Sequence, residues 1–327
     1  MKIVKRHLAN EVDFAKVQDQ FYEFNLPYYE NRQHETLEYK LTQFGIERIV
    51  KNYINSFYEA YYLKNQLWAE TFLYFGNALN QIIFSLSLHE NQAVTLHYDN
   101  ESLTTNGWLV GLRTSYDGKN LSTPEIYNCW TWRETAHFAF LLRDSALLSM
   151  LQAVDTHTMF ERITFYNTLN PDSIDPLWHE LYIQLMAGHN SQAATICADM
   201  IEKLEQQPAS YLKNLANFED NRQRLAMLTL PFLRCLDAYL CQNAAQFEQR
   251  LYDALLQHKA FCELPLKKSK GSLGIPNSNI SHLFVSMPLL AVCSLAYDAG
   301  FGWDVESDYI PTWLIAQTYQ YQLRPTS

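Results

Sequence analysis

The sequence predicts a mainly α-helical protein, an antiparallel helical bundle with helical-hairpin repeats and one small β-hairpin. Apolar residues recur at helical spacing over most of the 327 residues, and short polar breaks separate pairs of apolar helices. Strand-like alternation is confined to one stretch. We therefore expect a single helical domain over residues 1–327, with helices and the hairpin in 1–120 and the helical-hairpin repeats in 121–327.

Three helices are predicted before the β-hairpin. Asn10, followed three residues later by Asp13, predicts the start of a helix over residues 11–24 that ends before Pro27. Two apolar stripes then predict two long helices. The stripes consist of Leu37, Leu41, Phe44, Ile49, Tyr53, Phe57 and Tyr61, and of Trp68, Phe72, Phe75, Leu79, Ile82 and Leu86. Their aromatic members are expected to fill the core.

The predicted β-hairpin lies near residues 92–116. Apolar side chains alternate at Val94, Leu96 and Tyr98, and the alternation returns at Leu109 and Leu112 after a polar stretch rich in Asn and Thr. The rest of the chain gives no comparable strand signal. Because a two-stranded ribbon is only marginally stable alone, we expect it to pack against neighbouring helices.

Three helical hairpins are predicted in the second part of the chain. Their polar breaks fall at Asp144, Asn190 and Asn243, which are 46 (144 to 190) and 53 (190 to 243) residues apart, as in stacked helical repeats. Gly188 suits a left-handed helix C-cap, and Asn243 with Gln246 suits a capping box. An ordinary antiparallel bundle would give a similar pattern.

The C-terminal part of the chain is predicted to begin with a polar loop at residues 267–279. An apolar helix follows from about Met287 to Ala299 and is closed by Gly300. A short last helix starts from Pro311.

Charge and composition restrict the possible partners. The net charge of −10, from 35 acidic and 25 basic side chains, argues against nucleic acid, because phosphate binding needs clustered Lys and Arg. Residues 1–7 do not lead into the apolar core of a signal peptide, and no apolar run reaches the roughly 20 residues that span a bilayer. We therefore expect a cytoplasmic protein with no membrane partner. The six cysteines contain no C-x-x-C pair and are expected to be buried free thiols.

A search for catalytic motifs favours a protein that is not an enzyme. The sequence contains no phosphate-binding loop, dinucleotide fingerprint, H-E-x-x-H or G-x-S-x-G motif. Glu134 and His137 form an E-x-x-H, the spacing of di-iron helical bundles, but no second copy accompanies it. We interpret the pair as a helix-surface glutamate beside a hydrogen-bonded or exposed histidine. No cofactor and no metal are expected, and an enzyme built on this pair is the weakest alternative.

Aromatic and acidic residues outside the helical stripes suggest a surface for a protein partner. Tyr28, Tyr29 and Trp108 are candidate interface anchors, and acidic clusters can steer a basic partner. Solvated surface and helix caps are the alternative interpretation of the acids. The candidate binding residues are Asp99, Glu101, Trp108, Glu219, Asp220, Asp304, Glu306 and Asp308.

Several short motifs resemble the immunity protein 49 family over about residues 30–315. They are the runs at 130–136 and 141–147, the break at Ala187-Gly188, and the runs at 288–291, 295–300 and 306–311. The resemblance implies an all-helical cytoplasmic protein encoded beside a polymorphic toxin of interbacterial competition. It also implies that the protein neutralises this toxin by binding it, and it implies no catalytic residues.

The resemblance and the charge together give our first hypothesis. The chain would bind a cognate toxin that is basic and acts in the cytoplasm, such as a nuclease, and would occlude or distort its active site. The second hypothesis is a helical-repeat adaptor that holds a partner in a groove lined by successive repeats. Both a monomer and a homodimer are compatible with the sequence.

Overall fold

The computed structural model describes residues 1–5, 17–32, 36, 41, 45–89, 92–98, 101–106, 113–114, 120–121, 129–154, 174–206, 222–263 and 284–318. These residues are mainly α-helical, as predicted. They fall into two compact units. We call the described residues of 9–169 with Thr318 the N-terminal unit, and those of 1–8 and 170–317 the C-terminal unit.

The elements are numbered in chain order. The described helices are α1 (Leu26–Arg32), α2 (Gly45–Tyr62), α3 (Gln66–Leu88), α4 (Cys129–Leu142), α5 (Ser145–Gln152), α6 (Asp175–Met186), α7 (Asn190–Gln206), α8 (Leu230–Leu240), α9 (Ala244–Cys262), α10 (Met287–Asp298) and α11 (Thr312–Ile315). The described strands are β1 (Lys2–Val4), β2 (Ala93–Tyr98), β3 (Glu101–Asn106), β4 (Arg113–Thr114), β5 (Asn120–Leu121) and β6 (Val305–Ser307).

The two long helices predicted from the apolar stripes are confirmed as α2 and α3. They pack against each other through aromatic side chains, as the stripes predicted. Tyr53 and Phe72 are buried and their ring centroids lie 6.0 Å apart. The first stripe was expected to be helical from Leu37, but Leu41 lies in a turn and α2 begins only at Gly45, so this part of the prediction was wrong. Leu37 and Phe44 lie outside the described residues.

The first helix does not end before Pro27, so that prediction was wrong. Helical structure continues from residue 17 to 32, and it includes a π-helical segment at Phe21–Asn25. The N–H that follows this segment donates five residues back, to the carbonyl of Phe21. This wider turn lets the helix continue past a proline that has no N–H to donate. The same arrangement recurs at Leu225–Thr229 and Pro231.

The three predicted helix breaks share one backbone geometry, and a fourth break between α2 and α3 has it too. Lys64, Arg143, Gly188 and Gln242 all adopt left-handed conformations, with φ of 58°, 53°, 73° and 55°. In each break the N–H of the next residue donates to the carbonyl five positions earlier, at 2.9 to 3.0 Å. This is the Schellman motif, and it confirms the predicted left-handed cap at Gly188.

In three of these breaks, the residue after the left-handed one caps the next helix. The side chains of Asn65, Asp144 and Asn243 each accept the N–H three residues later, at 3.3, 3.0 and 3.0 Å. The predicted capping pair of Asn243 and Gln246 is therefore present. Short breaks of this kind reverse the chain without a long loop.

The conformational cost of these breaks can be tested at two positions of the C-terminal unit. We expect Gly188→Ala to destabilise the protein by about 1 kcal/mol, because its φ is left-handed. An added Cβ would meet nothing within 4 Å, so no clash contributes. Gln242→Gly should stabilise it by up to about 1 kcal/mol for the same reason. Denaturant unfolding measures both, and shifts of the same sign would contradict this explanation.

The predicted β-hairpin is confirmed, but its second strand begins earlier than expected. Strands β2 and β3 pair antiparallel from Ala93 opposite Asn106 to Tyr98 opposite Glu101. The Thr-rich stretch interpreted as a turn is itself the second strand, because threonine favours strands and Thr104 hydrogen-bonds across to Thr95 at 3.0 Å. The buried face of β2 packs on α3.

Two further small sheets were not predicted. Strand β1 pairs in parallel with β6, and β4 pairs antiparallel with β5. Strands of two or three residues are too short to leave an alternating pattern. The pairing of β1 with β6 also joins residues about 300 positions apart, which local sequence cannot reveal.

The core of the C-terminal unit lies around α8, which contacts α7, α9 and α10. Three of its cysteines, Cys197, Cys235 and Cys293, are buried free thiols, as predicted. Cys262 and Cys241 are also free thiols, but Cys262 is only half-buried and Cys241 is exposed, so the prediction of burial was wrong for these two. Cys241 is exposed because it falls in the turn after α8 rather than on its buried face.

The C-terminal helices lie where the sequence placed them. Helix α10 ends at Asp298, before the left-handed Gly300 with φ 80°, and α11 begins directly after Pro311. The predicted loop at 267–279 lies outside the described residues.

Candidate functional site

Three of the candidate acidic residues lie together at the edge formed by β6. Asp304, Glu306 and Asp308 are exposed, whereas the intervening Val305 is buried and Ser307 is half-buried. Residues two apart in an extended chain point to the same side, which explains why Asp304 and Glu306 are both exposed. Asp308 is exposed in the turn that follows β6. We call Asp304, Glu306 and Asp308 the acidic rim.

The rim is held in place by its pairing with the start of the chain and by helix α9. Val305 lies opposite Lys2 in the parallel sheet, and the N–H of Lys2 donates to the carbonyl of Asp304 at 2.8 Å. The N–H of Asp304 donates to Oε2 of Glu248 on α9 at 3.3 Å. The acidic residues therefore stand on a sheet edge braced by a helix.

Positive charge meets the rim at Asp304. The Asp304 carboxylate pairs with the amino group of Met1. Lys2 Nζ points instead to Oε1 of Gln249 at 3.1 Å and to Oε1 of Glu248 at 3.5 Å. The Glu306 side chain has no hydrogen-bond or ion-pair partner in the described part of the chain. The sequence from 271 to 323 holds no Lys or Arg, so the rim lies in an anionic segment.

The structure does not test the placement of the other five candidates. Asp99, Trp108, Glu219 and Asp220 lie outside the described residues. Glu101 is the first residue of β3, in the N-terminal unit, and its side chain is not described.

One predicted interface residue is part of the core instead. Tyr29 was expected outside the helical stripes as an interface anchor, but it lies on α1 and is 6% exposed. Its ring meets those of Trp68 and Phe72 at centroid distances of 5.6 and 5.2 Å. The continuation of the helix past Pro27 is what buries it, so the earlier expectation of an interface role was wrong.

Of the Glu134 and His137 pair, Glu134 is half-buried and His137 is buried, so the alternative of an exposed histidine was wrong. His137 is 6% exposed, and burial, with a smaller effect of the nearby Arg133, lowers its pKa to about 3. Burial also raises the pKa of Glu134, against the opposing effects of Arg133 and Lys51. Within the described residues, no three His, Cys, Asp or Glu side chains are grouped to hold a metal ion.

A groove of about 320 Å³ opens beside α8 and was not predicted from the sequence. Arg234, Arg250 and Leu256 line it together with Met227 and Pro231. Arg234 donates to Oε1 of Glu205 at 2.7 Å. All the lining residues belong to the hairpin of α8 and α9 with the π-helical segment before it, so this groove is not formed by successive repeats as an adaptor would require.

Comparison with known proteins identifies the family. The family model described as "Immunity protein 49" matches residues 57–314. The chain belongs to the immunity protein 49 family. No curated protein and no solved structure matches it. The resemblance drawn from the sequence motifs is confirmed, and the family implies an immunity protein that acts against a toxin.

The acidic rim of this immunity protein lies within the matched residues 57–314. The family suggests a role that is not enzymatic, with a cognate toxin as the partner. No described helix is both long and apolar enough to cross a membrane.

Proposed function

We propose that this immunity protein binds a basic toxin in the cytoplasm and occludes its active site, with the acidic rim facing the toxin. The toxin would act inside the cell, as a nuclease does, after delivery by an interbacterial secretion system such as type VI. Three carboxylates on one exposed edge of a segment without Lys or Arg support this most strongly. Such an arrangement attracts a cationic surface and repels nucleic acid.

The rim alone is too small to hold a toxin, so the proposal needs a wider interface around it. A specific complex buries roughly 800 Å² on each partner, which corresponds to 20–30 residues. The rim would act mainly on the association rate and the orientation of the encounter, while apolar contacts elsewhere would limit dissociation.

The function is tested first in growing cells. The neighbouring reading frame is expressed in the cytoplasm of a test bacterium, together with this chain or with an unrelated immunity protein. We expect growth arrest that only this chain relieves. Arrest that persists in the presence of this chain would overturn the proposal.

The role of the rim is tested by neutralising its three carboxylates with Asp304→Asn, Glu306→Gln and Asp308→Asn. We expect association with the purified toxin to slow by about tenfold at low ionic strength, with a weaker dependence on salt. The matched control removes three carboxylates elsewhere in the C-terminal unit, with Asp199→Asn, Glu202→Gln and Glu263→Gln. If the control slows association equally, net charge steers the encounter and the rim has no special role.

A further inference from the structure

An apolar side chain stands beside the acidic rim on the same face of the sheet. Ile3 is the middle residue of β1 and lies directly opposite Glu306 in the parallel register. Ile3 is 52% exposed, and Glu306 is exposed as well. The residues next to them in sequence, Val4 and Val305, are buried. Because paired strands lie about 4.8 Å apart, the two side chains are immediate neighbours. We call Ile3 and Glu306 the exposed pair.

The alternation of side chains along β1 explains why Ile3 faces outward. Successive side chains of a strand point to opposite faces. The side chain of Lys2 points to α9, where its Nζ donates to Gln249 at 3.1 Å and lies 5.2 Å from the ring centroid of Tyr252. Val4 is 2% exposed. Lys2 and Val4 therefore hold β1 in place from the inner face, and Ile3 is left on the outer face.

The carboxylate of Glu306 is available to a cation from a partner. Its side chain has no hydrogen-bond or ion-pair partner in the described part of the chain. Lys2 is directed to the other face of the sheet, where its Nζ also lies 3.5 Å from Oε1 of Glu248. Lys5 is exposed two residues after Ile3, but it forms no ion pair with Glu306. The exposed pair therefore presents an apolar surface next to a carboxylate without a cation.

A long basic side chain has the chemistry that matches this pair. Lys and Arg lay an aliphatic stem along apolar surface and carry their charge at the end of it. The stem can pack on the side chain of Ile3 while the ammonium or guanidinium group pairs with Glu306. An exposed ion pair alone contributes little to affinity, so the apolar contact with the stem is needed for a useful anchor.

We propose that the exposed pair binds one Lys or Arg side chain of the cognate toxin, with the stem on Ile3 and the charged group on Glu306. This inference rests on the proposed function, in which the acidic rim faces a basic toxin. The rim acts on the association rate, whereas apolar contacts limit dissociation. The exposed pair supplies one such apolar contact at the rim itself.

A double-mutant cycle tests whether one toxin side chain contacts both members of the pair. The variants are Ile3→Thr, Glu306→Gln and the two together, and the ligand is the protein encoded by the neighbouring reading frame. We expect each single change to lower the affinity by about tenfold. The double change should lower it by about 20-fold rather than 100-fold, because both changes remove the same contact. Threonine keeps a β-branched side chain, so the thermal midpoint should change by no more than about 2 °C.

The matched control removes an exposed apolar side chain and an exposed carboxylate elsewhere in the C-terminal unit, with Leu256→Ala and Glu202→Gln. Leu256 is 41% exposed, a value near that of Ile3, and Glu202 is exposed. We expect these control variants, singly and together, to bind within about twofold of the wild-type chain. A tenfold loss in the control would contradict a contact located at the exposed pair.

Each outcome of the cycle has a distinct meaning. If the wild-type chain binds the toxin and both single variants bind within twofold of it, this inference fails and the proposed function stands. If the two losses multiply to about 100-fold, Ile3 and Glu306 meet the toxin separately, and the inference of one shared side chain is overturned. If the wild-type chain neither binds the toxin nor protects against it, the inference and the proposed function fail together.

Discussion

Replacing His137 with Gln should abolish a loss of about 3 kcal/mol in the free energy of unfolding that occurs when the pH is lowered from 7 to 4.5. Burial lowers the pKa of His137 from 6.5 to about 3, with a smaller contribution from Arg133. Below pH 6.5 the unfolded chain therefore binds a proton that the folded chain does not, and the free energy of unfolding falls as the pH falls. This loss increases as the pH falls from 6.5 to the pKa of His137 in the folded chain, about 3. A measurement at pH 4.5 therefore covers about two pH units of that range.

The comparison that tests this is the difference in unfolding free energy between the wild-type chain and His137→Gln at pH 7, 6 and 4.5. Any hydrogen bond lost in the variant shifts all three values equally and does not affect the trend. Hydrogen exchange of α4 reports on the same unit and should show the same trend. A difference that stays constant with pH would contradict a buried neutral histidine.

Replacing Glu59 with Gln should have a pH effect of similar size and opposite sign. Glu59 is 4% exposed, and burial raises its pKa from 4.5 to about 7, against a hydrogen bond from Asn25 that lowers it. The folded chain therefore holds a proton that the unfolded chain releases, and this stabilisation is full below pH 4.5 and is lost as the pH rises to 7. Its size is about 3 kcal/mol between those two values.

These two effects should nearly cancel in the wild-type chain and appear only in the variants. When the pH is lowered from 7 to 4.5, the free energy of unfolding should rise by about 3 kcal/mol in His137→Gln and should fall by about the same amount in Glu59→Gln. The double variant lacks both titrating groups, so its profile should follow the nearly flat wild-type trend. Parallel pH profiles for the two single variants would refute at least one of the assignments.

Local patterns predicted the helices well where the evidence for them lies within one or two turns. The stripes of α2 and α3 and the caps at Gly188 and Asn243 depend on neighbours three or four residues away. Pro27 misled the same reasoning, because a π-helical segment can carry a helix past a proline. Once that helix continued, Tyr29 became a core residue and Phe24 an exposed one.

The sequence predicted the candidate site only where local spacing decides it. Asp304 and Glu306 share a face because residues two apart alternate in an extended segment, which the sequence spacing already allowed. Asp308 lies in the turn after β6, which the spacing did not indicate. The support beneath them, through β1 and α9, depends on residues far away in the chain. The exposure of Tyr22 and Phe24 was missed because the apolar residues at 21, 22 and 24 look like one buried stripe until the turn between them is known.

The sequence by itself determined the helical class, the helix ends set by local caps, the charge of the chain and the family to which it belongs. These properties depend on composition and on contacts within one or two helical turns. Only the tertiary structure decided which titratable groups are buried, how β1 meets β6, and which aromatic side chains face water. Those properties depend on contacts between residues distant in sequence, and their free energies follow from burial, which no local pattern records.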